Sequence, residues 1–273
     1  MERLRRWFIP DSWRAAALIA AAMCGTGCID PDARRQMAES ESILAPFFSQ
    51  TSPIDAARWS VDPYDADKRA RGTLLLANAP FGGGEPYLKI YRQHLSDEGP
   101  LVRAVSARAL GLHGGSEDAE LLLPLTADAH VPVRFEAVRA LQRLHNPRVV
   151  TRLMQLLRPN SEPEPSIRAE AACALGQYAE PRVLDALIAA LADDNLVVVA
   201  NAHDSLVTLT GREGADEDRR EWTAWAQQTR EPFAGRREYL YPVFNRDKRW
   251  LDYLPFTPPV PNEVAGRPHG MPG

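Results

Sequence analysis

The sequence predicts an all-α chain, a solenoid of stacked helix pairs with an extended, aromatic- and proline-rich C-terminal tail. Three observations predict it. First, one phrase, Val102-Arg103 leading to Ala109-Leu110-Gly111, returns at Val133-Arg134 to Leu141, at Ile167-Arg168 to Leu175-Gly176, and at Val198-Val199 to Leu206. Second, the phrase's arginines, with a weaker copy at Arg69, are spaced 34, 31 and 34 residues apart, the length of one helix pair per unit. Third, apolar residues within the phrase recur at helical intervals, and no segment alternates with period two for long.

At the N-terminus, Arg3, Arg5, Arg6 and Arg14 precede an apolar run from Ala15 to Met23, and Gly25-Thr26-Gly27-Cys28 follows. A basic start, a short apolar segment and a small-residue site make a secretory signal over residues 1–27. The run falls well short of the ~20 residues that span a bilayer. Cys28 after Thr-Gly resembles the cleavage site of bacterial lipoproteins, although Gly25 stands where such sites usually carry Leu. The resemblance implies lipidation at Cys28, with Cys24 as the alternative processed residue. Arg5-Arg6-Trp7-Phe8-Ile9 also resembles a twin-arginine export signal, weakened by Pro10 and Asp11. Residues 28–62 form a tether with one helix-like piece, Pro31 to Phe48, and a linker carrying Pro53 and Pro63.

The array spans 63–230. Counting from Val102, Val133, Ile167 and Val198, small residues stand four positions on (Ser106, Ala137, Ala171, Ala202) and leucines eight on (Leu110, Leu141, Leu175, Leu206). Those positions share a helix face. Second helices lie between, at about Pro86–Leu95, Ala119–Ala127, Pro147–Leu157 and Pro181–Leu191, with Gly and Pro at the joins. An acidic residue precedes each arginine position by six: Asp97 before Arg103, Asp128 before Arg134, Glu162 before Arg168, and Asp193 before Val199. Asp216 to Thr229 forms a further helix with Trp222 and Trp225 on one face. In residues 231–273 aromatics alternate with prolines. Pro density forbids a long helix, and aromatic density argues for packing. The tail is therefore expected to lie along the array to about Phe256, with Asn262 to Gly273 loose; the alternative is a partner-binding segment ordered only in complex.

This phrase resembles the HEAT repeat, in the variety also seen in phycobilisome-lyase-like proteins. The resemblance implies that the acids and arginines form a structural ladder along the turns: Asp97, Arg103, Asp128, Arg134, Glu162 and Arg168, with Arg103 read as a rung with Asp97. It also implies that the Leu209-Thr210-Gly211 and Trp-x-x-Trp segment closes the stack. The residues that depart from the repeat are the candidates for partner contact: Arg108, its counterpart Arg139, and His203 beside the interrupted rung at Val199.

Chemistry finds little purchase. No GxSxG, nucleotide-binding glycine fingerprint or HExxH occurs. No His-Glu dipeptide occurs, as the di-iron site of the similar deoxyhypusine hydroxylases requires. The six histidines are scattered; His113 and His145 close corresponding helices, where an imidazolium favours the helix C-terminus. Cys173 lies among alanines and reads as a buried thiol. A net charge of −4 argues against nucleic acid. The expectation is a non-catalytic binding or scaffold module without cofactor or metal. It is exported to the cell envelope or periplasm, anchored to the membrane by lipid, and meets a protein partner there. An enzyme of the lyase-like class and a purely structural spacer are the alternatives.

Overall fold

The computed structural model describes residues 52–241 and 265–272, so the signal segment, Cys28, the helix-like piece at 31–48 and residues 242–264 lie outside the described residues. Within them the chain forms eleven α-helices. These are α1 Pro53–Ser60, α2 Ala66–Ala77, α3 Glu85–His94, α4 Pro100–His113, α5 Asp118–Leu122, α6 Val131–Arg143, α7 Val150–Leu156, α8 Pro165–Leu175, α9 Pro181–Ala190, α10 Leu196–Thr210 and α11 Arg219–Gln228. Short 3-10 turns lead from α5 and into α7.

The helix starts follow from local chemistry. Proline occupies the first turn of α1, α3, α4, α6, α8 and α9, where its missing N–H costs no helical bond. Asp65, Asn195 and Asp218 cap α2, α10 and α11 with side-chain oxygens. Pro53, expected in a linker, instead opens α1: Ser52 Oγ accepts from the Asp55 N–H, and the helix packs against α2. Proline reads as a breaker only where the preceding backbone cannot serve as a cap.

The architecture is the α-solenoid that the repeat period predicts. The Val-Arg helices α2, α4, α6, α8 and α10 pack on one another in series, and the second helices α3, α5, α7 and α9 flank them. Every residue predicted at the shared face is buried. Val102, Val133, Ile167 and Val198, with Leu110, Leu141, Leu175 and Leu206, expose none of their surface. Small residues set the spacing of the inner helices. A Cβ on Gly111 would stand 2.8 Å from both Cα and Cβ of Ala140, so α4 and α6 touch backbone to backbone there.

The far end closes with aromatic side chains. Trp222 is fully buried, Trp225 meets it edge-on at 5.7 Å, and the Arg212 guanidinium lies 5.1 and 5.5 Å from the two ring centres. The tail then runs back along the C-terminal ends of the inner helices. Arg237 N–H donates to Thr208 O, Arg236 Nη2 to Gln177 O, and the buried Tyr239 Oη to Cys173 O. Residues 265–272 rest further along the same edge, beside Arg143, His145 and Ser116. For residues 265–272 this corrects the expectation of a loose end; the rest of that expected stretch lies outside the described residues. The contact is made largely by backbone groups, which leave no trace in side-chain pattern.

A candidate interaction face on the inner helices

The ladder is built from arginines on the inner helices and acids on the turns. Arg69 Nε and Nη2 form a two-point fork on Asp97 at 2.8 and 2.9 Å. Arg103 does the same to Asp128 at 2.8 and 3.0 Å, Arg134 to Glu162 at 2.8 and 3.0 Å, and Arg168 to Asp193 at 2.8 Å on both oxygens. The third nitrogen, Nη1, donates to the backbone oxygen of the unit's own acid: Asp97 for Arg103, Asp128 for Arg134, Glu162 for Arg168. Reading Arg103 as a rung with Asp97 is corrected accordingly. Asp97 supplies Arg103 with a carbonyl, and its carboxylate belongs to Arg69 of the preceding unit.

Each carboxylate also accepts a backbone N–H two residues on, from Gly99, His130, Glu164 or Asn195. One acid therefore ties the previous unit's arginine to the turn that starts its own inner helix, so adjacent units are locked in register. The bond from Arg168 holds the Asp193 carboxyl below its ordinary pKa, against the opposing effect of burial. Burial pushes the Asp97 and Asp128 carboxyls up, but the arginine and backbone bonds outweigh it and leave both lowered. With all its forks committed, the ladder is structure.

The second row of charge draws on the positions three and six residues after Val102, Val133 and Ile167. Arg108 of α4, Glu136 and Arg139 of α6, and Arg143 one turn further line a single small cleft with Gly111 and Ala140. Burial raises the Glu136 carboxyl pKa, opposed by the charges of Arg108 and Arg139. Burial likewise raises Glu170 of α8, opposed by a bond from Gln142 Nε2 and by Arg139 and Arg143. Arg108 and Arg139 are thus brought together, as their matching positions suggested. They interleave with Glu136 and Glu170 across three helices, all of them half-buried. Sequence reasoning missed both glutamates and Arg143, although the glutamates occupy one repeat position. The row continues with Cys173 and Asp204. Burial pushes the Cys173 thiol up to about 12.

His203 is not part of this row. Its Nε2 lies 2.9 Å from Ala215 O and its ring meets Trp222 edge-on at 5.9 Å. Only 17% of the side chain is exposed, so the structure reassigns His203 from partner contact to closure of the stack. The histidines at the helix ends are corrected as well. His113 Nε2 stands 2.6 Å from Ala77 O of the preceding unit, while His145 stacks on Tyr178 and bonds Gln177. Burial lowers the His145 pKa, so it is a neutral packing group and not a charged cap.

Among the described residues no cluster of three His, Cys, Asp or Glu could hold a metal ion, and no helix is long and apolar enough to cross a membrane. Residues 119–207, from α5 to within α10, match the family of HEAT repeats. No curated protein matches the chain.

Proposed function

We propose that this chain, which carries HEAT repeats over residues 119–207, is a non-catalytic protein-binding module. Its inner face meets a partner of mixed charge. One observation carries the reading: Arg108, Glu136, Arg139 and Glu170 form a row of alternating sign on helices that the ladder holds in register. Alternating charge on a rigid face favours one register of a partner over others, because displaced like charges repel. HEAT repeats generally serve protein interaction or scaffolding, which supports the same reading. The ladder's arginine forks are committed to carboxylates, and the half-buried Cys173 thiol is pushed up to about 12, away from thiolate character.

The module is exported and lipid-anchored in the cell envelope in this reading. The support is the basic start, the apolar run and Cys28 in the sequence. Two measurements test the two halves separately. Reversing charge with Arg108→Glu and Arg139→Glu should abolish crosslinked capture of the partner from a native envelope preparation, with helical content unchanged. Undiminished capture would sink the inner-face assignment. Mass spectrometry of the mature N-terminus should find a diacylglyceryl group on Cys28, and an unmodified Met1 would refute the anchor.

A further inference from the structure

The turn after α6 leaves the helix in an extended conformation at Leu144 (φ −121, ψ 107), as Gly114 does after α4 (φ −74, ψ 171), whereas α8 ends in a helical Gly176 and α10 in a left-handed Gly211. The extended backbone gives α6 a strand-like edge, and the chain's own C-terminal segment pairs with it. His269 N–H donates to Arg143 O and His145 N–H donates to His269 O, both at 2.8 Å, making a parallel bridge centred on Leu144.

The walls of this seat stand without the segment. Tyr178 Oη donates to Asn146 O and accepts from Asn146 N–H. Asn146 Nδ2 donates to Ser116 O, and His145 Nδ1 lies 3.0 Å from Gln177 Oε1. None of these slot-wall bonds involves the segment, which adds its own bonds to the Arg143 carbonyl and the His145 N–H. Two positions of the segment are constrained. Pro268 is buried. Gly270 adopts φ +80, and a Cβ there would stand 2.6 Å from Ser116 Cβ. Gly266 bridges to Tyr241, whose ring lies over the Arg143 guanidinium at 4.9 Å.

We propose that this slot is a receptor for an extended peptide bearing a Pro-His-Gly sequence, and that residues 265–272 occupy it in cis as a displaceable strap. Recognition is by strand addition: backbone bonds supply affinity, while the proline site and the glycine-only approach to Ser116 supply selectivity. Two backbone bonds and one buried proline make a weak contact, so occupancy in cis depends on the segment being part of the same chain. Covalent connection supplies an effective concentration up to about millimolar. A partner strand of the same pattern then competes with the strap, and its apparent affinity is reduced by the fraction of slots already filled. This inference shares Arg143 with the inner-face cleft through that residue's backbone carbonyl, but it is tested separately, because its variants leave Arg108 and Arg139 unaltered.

The test uses the full chain and a fluorescent peptide of this chain's own residues Ala265 to Pro272. Gly270→Val in the full chain removes the strap's fit and leaves the slot intact. Pro268→Asp serves as a second release variant. Both should bind the peptide at least about tenfold more tightly than the unaltered chain does, and a peptide carrying valine for glycine should bind none of them. The His145 amide, protected in the unaltered chain, should exchange rapidly in both variants. Equal peptide binding by unaltered and released chains would overturn the proposal. So would a His145 amide that stays protected, or loss of helical structure in both variants, since a strap that can leave cannot be needed for the fold.

Discussion

Arg168→Ala tests whether the ladder holds the array together. Its rung is the most deeply buried of the four, with 6% of the arginine side chain and 2% of the aspartate side chain exposed. Truncation leaves the Asp193 carboxylate without its two-point partner and the carbonyls of Glu162 and Pro163 without Nη1. Removing one member of a buried pair costs about 3–5 kcal/mol, because the remaining charge is uncompensated. With a urea slope of about 2 kcal/mol/M, the midpoint of unfolding followed by circular dichroism should fall by about 1.5–2.5 M. The double change Arg168→Val with Asp193→Asn keeps the turn's acceptor for Asn195 N–H and removes both charges. It should recover at least about 1 kcal/mol of the loss, the coupling expected of residues in contact. Arg148→Ala is the matched control. Its pair with Glu120 is exposed, 76% and 45%, and such pairs contribute about 0–1 kcal/mol. If Arg168→Ala cost no more than Arg148→Ala, the ladder would be surface decoration and the register argument would fail.

Further outcomes follow from the same geometry. The lowered carboxyls of Asp97, Asp128 and Asp193 contribute stability that is present above their unfolded pKa of about 4 and is lost as pH falls through their folded values. The urea midpoint should therefore hold at neutral pH and drop below about pH 4; equal midpoints at pH 3 and pH 7 would contradict this. The Cys173 thiol, raised to about 12 by burial, should react with a disulfide reagent at pH 8 on the order of a thousandfold more slowly than an ordinary cysteine. Peptide mapping of the labelled chain measures it, and labelling at the ordinary rate would show an accessible thiolate. His203→Ala removes the bond to Ala215 and the ring contact with Trp222, so amides of α11 should exchange about tenfold faster while those of α4 and α6 are unchanged. Acceleration in α4 would mean that His203 acts on the whole array.

The fold was legible because the same phrase is written four times. Val102, Ser106 and Leu110 could be read as packing only by laying them beside Val133, Ala137 and Leu141. What a repeat cannot announce is which neighbour a side chain reaches. Asp97 stands six residues before Arg103 and contacts it through the backbone alone, while its carboxylate crosses to Arg69. Sequence spacing is blind to that choice, since both distances belong to the same period. The charged row was half legible. Arg108 and Arg139 stood out as cations on corresponding turns, but nothing in the repeat singled out Glu136 and Glu170, whose half-buried setting raises their pKa values. His203 misled for the opposite reason. A polar residue at a position of small residues looks like exposed function, yet the closing helix brings a tryptophan and a carbonyl to meet it.

The interrupted rung at Val199 follows from the direction of the ladder. Each arginine hands its fork to the acid of the next unit, and Arg168 has already taken Asp193. The other forks span 25 or 28 residues, and the positions 25–28 residues after Val199 hold Ala224, Trp225, Ala226 and Gln227 of the tryptophan closure, with no acid among them. Glu221, on the helix that follows, is exposed and bonds Arg212. Val199 is 7% exposed and belongs to the apolar core. Repeat statistics would favour Val199→Arg as a return to the common pattern, and the geometry predicts the reverse. The new guanidinium could reach the Asp193 carbonyl, but it would have no acid to fork. A buried ion without its partner costs several kcal/mol, to which the lost valine packing adds about 1–2 kcal/mol. The urea midpoint should fall by at least about 1 M, given a slope of about 2 kcal/mol/M. A midpoint that rises would mean that an acceptor for the fork exists beyond α10, and that the ladder does not end at Asp193.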